Sequence, residues 1–466
     1  MLLNKLLKIN TDSMVLKQIL TARENRNQLR INIAKRDLVS ISLTLNIPGF
    51  PKSNELYHTF FEVIKKEIQI FYKARSVELK EEYNINDIAG DFFIASVLSK
   101  SVSSHHLKKI SEKFELEHKL GRFIDIDIFD INGNPISSER IKECFFCLSY
   151  SAIDCMRSNR HSYEELREYQ KIKIKEYLEC RTSINICREL SSLALRSILY
   201  EVSLTPKPGL VDFNSSGVHK DMNYFTFLNS SSSISQYFFK IAMLGYRFKN
   251  DFSEALPVIR ENGLQMENDM YISTNNVNTQ KGIIFLLSVA LFASAYIIAN
   301  NDFFNITNFS QISKKIGKAL ISELDKPCSV KTHGQICFEK YGKDLGGGAR
   351  YEVANGFKTT INSGYLLLSK VFPENLNFIQ IQQVLQKVLF SIIANNNDTN
   401  VLYRSNLEIL KELKQIACIS LNSKKYDEKK LLEFCKEKNI SPGGSADLLA
   451  VSIFLYFVNK KYVYGS

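Results

Sequence analysis

From residue 183 to residue 460 the chain repeats one pattern, and that pattern leaves it few folds. Apolar residues recur at three- and four-residue steps in eight runs: 183–200, 231–248, 282–299, 310–324, 359–371, 378–394, 405–417 and 444–460. In the first run Ile186, Leu190, Leu193 and Ile198 fall on one stripe, as in an amphipathic helix. Strand-type alternation is scarce. Helices of this kind bury their stripes against one another, so a mainly all-α domain is expected. Ile283 to Ala299 is uncharged and close to the roughly 17–25 residues of a membrane span. Its serines and alanines weaken that reading, and a fully buried helix is expected instead.

The N-terminal part reads differently, as α+β. Residues 13–30 and 54–80 suit helices. Val39 to Ile47 alternates, with Val39, Ile41, Leu43, Leu45 and Ile47 on one face and Ser40, Ser42, Thr44 and Asn46 on the other. That is a half-buried strand. Pro48-Gly49 ends it in a turn, and Asp91 to Leu98 suits another strand. Residues 162–182, rich in Glu, Lys, Arg and Tyr, read as a charged helical connector. A chain of 466 residues exceeds the roughly 150 of one domain. Two domains are expected, 1–175 and 176–466.

The net charge of +11 points to acidic partners, among them nucleotides, phosphates, an acidic protein or nucleic acid. No run has the density of a nucleic-acid-binding arm, and neither nucleic acid nor a membrane is expected as a partner. The start, MLLNKLLKIN, lacks the apolar core of a secretory leader. With nine cysteines, this predicts a reducing, cytoplasmic setting.

Glu201 to Asp221, EVSLTPKPGLVDFNSSGVHKD, interrupts the helical half. Thr205-Pro206-Lys207-Pro208-Gly209 stops a helix, because proline lacks the N–H and disfavours helix at the preceding residue. Lys207, Asp212, His219, Lys220 and Asp221 follow on an irregular segment, where binding and catalytic groups tend to sit. Other polar islands lie between the apolar runs. They are Arg260 to Glu267, Asn278-Thr279-Gln280-Lys281-Gly282, Thr332-His333-Gly334, Gly346-Gly347-Gly348-Ala349-Arg350, Asp398 to Arg404, and Ser441-Pro442-Gly443-Gly444-Ser445. Ser445 could simply cap the last helix. Glycine backbones and helix N-termini can also bind phosphates through unpaired N–H groups. Lys281, Arg350 and Arg404 would add charge-assisted contacts.

In the first half the sharpest chemistry is Gly121-Arg122-Phe123-Ile124-Asp125-Ile126-Asp127-Ile128. Period two puts Asp125 and Asp127 on one face, with Cα atoms roughly 7 Å apart. A divalent metal such as Mg²⁺ would join such carboxylates to substrate phosphates; a solvated acidic face is the plainer alternative. Cys144, Cys147, Cys155 and His161 carry the ligand types of a Cys₃His zinc site. Three thiols packed as small hydrophobes would leave the same pattern.

Two family resemblances rest on these motifs. Glu201 to Asp221, Thr226-Phe227 and Ser441 to Leu449 resemble the triphosphoribosyl-dephospho-CoA synthases of citrate lyase prosthetic-group assembly, over about residues 183–460. Ser42 to Gly49 with Lys52, Gly121 to Asp127, Cys144-x-x-Cys147, and Cys155-Met156-Arg157 with His161-Ser162 resemble citrate lyase holo-acyl-carrier-protein synthase, over about 15–166. The resemblances imply a fusion of a nucleotidyltransferase-like α+β domain with a helical synthase domain. The synthase would join ATP to 3′-dephospho-CoA and release adenine. The transferase would pass the phosphoribosyl-dephospho-CoA unit to a serine of the citrate lyase acyl carrier protein and release pyrophosphate. In that setting Asp125 and Asp127 hold Mg²⁺ and Arg122 contacts phosphates. His219, Asp221 and Glu267 serve as bases or metal ligands. Lys207, Lys281, Arg350, Arg404, Gly443 and Gly444 contact phosphates or CoA.

The chain departs from the synthase pattern at four places. Position 280 is glutamine where the family has histidine. Tyr351 and Val353 flank Glu352, Ser405-Asn406 follows Arg404, and one serine is added near Ser215. A non-catalytic carrier-protein or nucleotide-binding protein with these folds would also show such departures.

Overall fold

The computed structural model describes all residues except 1, 98–101, 139, 302, 325–332, 373–375, 423–427 and 464–466, and the side chains of 2–13. Leu98 and Thr332 therefore lie outside the described residues. The chain divides into two compact units, Met1–Arg181 and Thr182–Ser466.

The first unit is built on a four-stranded antiparallel sheet, ordered β2-β3-β1-β4. The strands are β1 (Val39–Leu45), β2 (Leu79–Asp87), β3 (Gly90–Val97) and β4 (Ile124–Phe129). The helices are α1 (Leu2–Ala34), α2 (Glu55–Lys73), α3 (Ser104–Glu117) and α4 (Ala152–Arg157). The alternation in β1 sorts its side chains as period two requires, but Ser40 and Ser42 are buried too, because α1 covers the second face, so the strand is not half-buried. Val39, Ile41 and Leu43 join Phe93, Ala95, Ile124, Ile126 and Ile128 in a core with Phe60, Ile64 and Leu107 of α2 and α3. Each of these side chains except Ala95, fully buried, stabilises by about 1.5–3 kcal/mol. On the other face Phe92 and Ile94 meet Ile33 and Leu29 of α1. The expected helix at 54–80 stops at Lys73, because Leu79–Asp87 leaves to form β2. That strand is charged and mostly exposed, so it carries no apolar alternation to announce it.

Helix α5 (Tyr163–Ser203) is continuous over 41 residues and spans the division between the units. Among its described residues the second unit has helices and loops but no strand: α6 (Tyr224–Ser235), α7 (Phe238–Tyr246), α8 (Ala255–Ser273), α9 (Lys281–Asn301), α10 (Ile306–Gly317), α11 (Leu320–Leu324), α12 (His333–Gly346), α13 (Gly348–Ala354), α14 (Leu366–Val371), α15 (Phe378–Asn395), α16 (Thr399–Arg404), α17 (Leu407–Asn422), α18 (Glu428–Glu437) and α19 (Gly443–Tyr462). Helix α9 is the one described helix long and apolar enough to cross a membrane, and most of it is buried in this unit. It packs against α7, α8, α10 and α19.

Three boundaries differ from the sequence pattern. The run 231–248 breaks between α6 and α7. The island Arg260–Glu267 lies inside helix α8, not between helices. Its mixed polarity, with Pro257 and Gly263 inside it, hides the helical period. Ser445 lies within the first turn of α19, whose cap position is Pro442.

Candidate active sites

In the helical unit the irregular segment after α5 folds back on itself. The Lys207 ammonium donates to the Glu201 carboxylate at 2.5 Å and to the Glu201 carbonyl at 3.0 Å. Both residues are buried. The cation thus answers the negative end of α5 as well as a side chain. Asp212 accepts the amides of Lys207, Asn214 and Ser215 at 2.8–2.9 Å. The added serine therefore sits in a turn closed by Asp212. Gly209, at φ +66°, lies so near Ile440 that a Cβ would stand 2.2 Å from its carbonyl oxygen. Only glycine allows both the turn and this approach to the segment before α19.

A second tie joins two helix starts. Asp398 accepts the amides of Asn400 and Val401, at 3.0 and 3.4 Å, and so caps α16. Its other oxygen accepts the Ser445 amide and hydroxyl, at 2.7 and 2.8 Å, on α19. Burial holds this carboxyl above its ordinary range, against those four hydrogen bonds.

These ties surround a cavity of about 1080 Å³. It is lined by Lys207, His219, Asp221, Glu267, Lys281, Arg350, Arg404, Gly443 and Gly444, while Asp212 and Lys220 of the same segment are not in its wall. His219 shares a hydrogen bond of 3.0 Å with the Ser441 hydroxyl, and its other ring nitrogen is 4.0 Å from Asp221. Burial, then Arg404, lowers the imidazole pKa, while Asp221 raises it. His219 is therefore neutral at neutral pH. Lys281 pairs with Glu267 at 2.7 Å. Arg404 is exposed, and its guanidinium makes no hydrogen bond with a described residue. Lys207, by contrast, has its charge engaged by Glu201.

The sequence reading missed two wall residues. Glu201 was read as the motif's first letter and Asp447 as part of its last. Asp447 borders the cavity beside the start of α9. A Cβ on Gly282 would stand 2.0 Å from the Asp447 carboxylate, so the glycine makes its berth. Burial, then the charges of Glu201 and Asp398, raises the Asp447 pKa well above the usual carboxylate value, against Lys207. Nothing in the linear sequence announces that Asp447 meets Gly282.

The departures find structural roles. Gln280 is buried, accepting from the Ser230 hydroxyl at 2.5 Å and donating to Ser231 at 3.1 Å. Tyr351 donates to Asp344 at 2.7 Å. Glu352 accepts the Thr360 amide at 2.7 Å and is buried.

In the sheet unit, Asp125 and Asp127 stand on edge strand β4, beside Thr44 and Ser42 of β1. Lys142 donates to Asp125 at 3.0 Å and lies 3.4 Å from Glu115. Burial works against the Lys142 charge, but Asp125 and Glu115 outweigh it and raise its pKa. Burial, then Asp125, pushes the Asp127 carboxyl above its ordinary value, against Lys108, Arg30 and Lys142. Glu115 is likewise raised, mainly by burial, and accepts the Ile126 amide at 3.0 Å. The cation that Asp125 and Glu115 share is the Lys142 ammonium. The Arg122 guanidinium is held by the Glu143 carbonyl, at 2.5 and 3.1 Å.

The one cluster of His, Cys, Asp or Glu among the described residues with metal-ligand geometry is Cys144, Cys147, Cys155 and His161. One ligand atom from each lies within 4.8 Å of all the others. The Cys147 and Cys155 sulfurs are 3.6 Å apart. The hydrogen bond from Ser149, ahead of those from His161, Cys155 and Cys144, lowers the Cys147 thiol to about 6 despite desolvation. Desolvation, then its sulfur neighbours, raises Cys155 to about 12.

Comparisons with known proteins divide the chain the same way. Residues 187–465 match the family model described as ATP:dephospho-CoA triphosphoribosyl transferase. Residues 14–177 match that of apo-citrate lyase phosphoribosyl-dephospho-CoA transferase. Protein CitXG of Leuconostoc mesenteroides subsp. cremoris is 30% identical, over 94% of this chain and 96% of the relative. Protein CitXG of Haemophilus influenzae is 28% identical, over 94% and 95%. The 2-(5''-triphosphoribosyl)-3'-dephosphocoenzyme-A synthase of Haemophilus ducreyi is 30% identical, over 65% of this chain and 97% of its own.

Proposed function

The chain belongs to the CitXG family, and on that premise we propose how its two halves make and deliver the citrate lyase prosthetic group. It is a transferase with two activities of that assembly, triphosphoribosyl-dephospho-CoA synthase and phosphoribosyl-dephospho-CoA transferase. We assign the transferase to 1–175 and the synthase to 176–466, and place the protein in the cytoplasm. One observation carries the synthase assignment. A single cavity holds an uncommitted arginine, a Lys–Glu pair, a neutral histidine and two helix starts.

In the synthase half, ATP and 3′-dephospho-CoA are the substrates. The 2′-hydroxyl oxygen of dephospho-CoA bonds to C1 of the ATP ribose, the bond from C1 to adenine breaks, and adenine leaves. Positive charge builds at C1, a hydroxyl proton must go, and a triphosphate must stay put. Neutral His219 is suited to accept that proton. Asp221 offsets the positive charge that His219 gains. Arg404, Arg350 and Lys281 hold the triphosphate, with Gly443 and Gly444 presenting the backbone of α19. Glu267 holds Lys281 in place until substrate arrives. Lys207 acts through Glu201, shaping the wall beneath the site.

For the α+β half we read a nucleotidyltransferase-like fold. The carrier-protein serine oxygen bonds to the α-phosphorus and pyrophosphate departs. Asp125 and Asp127 would hold Mg²⁺, which supplies charge neutralisation on the phosphates. Lys142 shares that negative ground, and Arg122 can release Glu143 to meet a phosphate. Cys144, Cys147, Cys155 and His161 suit zinc.

The deciding experiment incubates the full chain with ATP, dephospho-CoA, Mg²⁺ and apo acyl carrier protein, read by mass spectrometry. Free adenine and a carrier-protein mass gain of one phosphoribosyl-dephospho-CoA unit are expected. A folded chain that yields neither overturns the reading in favour of a non-catalytic binding protein.

A further inference from the structure

The segment after β4 holds a small unit of its own. The Cys144 amide donates to the Tyr150 carbonyl at 2.8 Å, and the Ala152 amide to the Lys142 carbonyl at 2.8 Å. Glu143 and Ser151 form an antiparallel bridge between them. The Leu148 amide closes a turn onto the Cys144 carbonyl at 3.0 Å, and Leu148 takes φ +55° there. Cys144 and Cys147 lie on this turn, Cys155 on α4, and His161 just before α5.

We propose that Cys144, Cys147, Cys155 and His161 form a closed structural zinc site that fixes Lys142 and Glu143 beside the β4 carboxylates. Four ligands at tetrahedral zinc, with Zn–S near 2.3 Å, place sulfurs about 3.8 Å apart. The Cys147–Cys155 separation of 3.6 Å meets that spacing without a metal present. It is far beyond a disulfide bond of about 2.05 Å, and all three thiols are free. His161 Nε2 is buried with no hydrogen-bond partner, and a metal bond would satisfy such an atom. Thiolates with one imidazole select zinc over Mg²⁺, which takes oxygen ligands. Four protein ligands leave no open position, so the role is structural.

The link to chemistry is the chain itself. Lys142, which meets Asp125 at 3.0 Å, and Glu143, whose carbonyl holds Arg122, directly precede the first zinc cysteine. The consequence for transfer rests on the function proposed above. The zinc content does not.

The test is metal analysis of the purified full chain with X-ray absorption at the zinc edge. About one zinc per chain is expected, with three sulfurs near 2.3 Å and one nitrogen near 2.0 Å. Cys147→Ser, Cys155→Ser and His161→Ala should each lose most of the zinc. His161→Cys, which makes a four-thiolate site, should keep it. Cys418→Ser, on an exposed thiol outside the cluster, should also keep it. A circular-dichroism melt of each variant reports whether the sheet unit remains folded, and adenine release reports only that the other half is intact. Removal of zinc followed by return of excess Mg²⁺ should leave carrier-protein modification abolished until zinc is restored, while adenine release persists. A chain purified without zinc that binds none when it is supplied, zinc held by oxygen ligands, or full transfer by a zinc-free chain would overturn the proposal.

Discussion

At the scale of single residues, the synthase cavity turns on groups whose protonation has been moved. His219 carries a lowered pKa, because burial and Arg404 disfavour its charge. A base of this kind stays competent as pH falls below the ordinary imidazole value of about 6.5. The acidic limb of kcat/KM for adenine release should therefore lie below 6.5. A limb at or above 6.5 would exclude His219 as the base. His219→Ala should cost about 10²–10⁴-fold in kcat, the usual worth of a positioned base. The residues behind this cavity were legible one by one from motif letters. Their partners were not. Lys207 reads in the sequence as a cation free for phosphate, but it is spent on Glu201, six positions earlier in a chain that bends back. Gln280 reads as a lost histidine, but it is tied to two serines of α6. Contacts between separate helices leave no local trace.

At the scale of elements, one carboxylate joins α16 to α19. Asp398→Ala removes an N-cap, worth about 1 kcal/mol, and strands buried donors of Ser445, each costing about 1–3 kcal/mol. A loss of about 3–7 kcal/mol is expected by denaturant titration, with the m-value unchanged. A smaller loss than from an exposed control substitution would show that water replaces the carboxylate. The elements legible in the sequence were those with strong periods. Val39 to Ile47 announced β1, and the apolar runs announced α9, α15 and α19. Strand β2 was hidden because its residues are mostly exposed and charged. Helix α8 was hidden because Pro257, Gly263 and its mixed polarity blur the helical period.

At the scale of the whole molecule, the net charge of +11 matters for encounter. An acidic carrier protein meets such a surface faster at low salt, since charges are screened over about 8 Å at physiological ionic strength. Transfer kcat/KM for the carrier protein should fall as salt rises, while adenine release changes little. Equal salt dependence of the two steps would place the effect on the small substrates. The two steps should also separate genetically. Asp125→Ala should abolish transfer and leave adenine release intact, and His219→Ala the reverse. Mixing the two inactive chains should restore carrier-protein modification through free intermediate. Failure of the mixture, with each remaining activity normal, would mean that the intermediate never leaves the chain that made it. The two-part organisation was legible from the change of period along the sequence, because periodicity reports architecture directly.

The berth that Gly282 makes for Asp447 has a heritable side. A methyl group at 282 would stand where the carboxylate oxygen now is, so the two positions are not free to vary independently. In a random library built on Gly282→Ala, chains that regain adenine release should carry second changes concentrated at 447, toward shorter side chains. Position 282 would then be a hidden determinant of which acids this lineage can place in its catalytic wall.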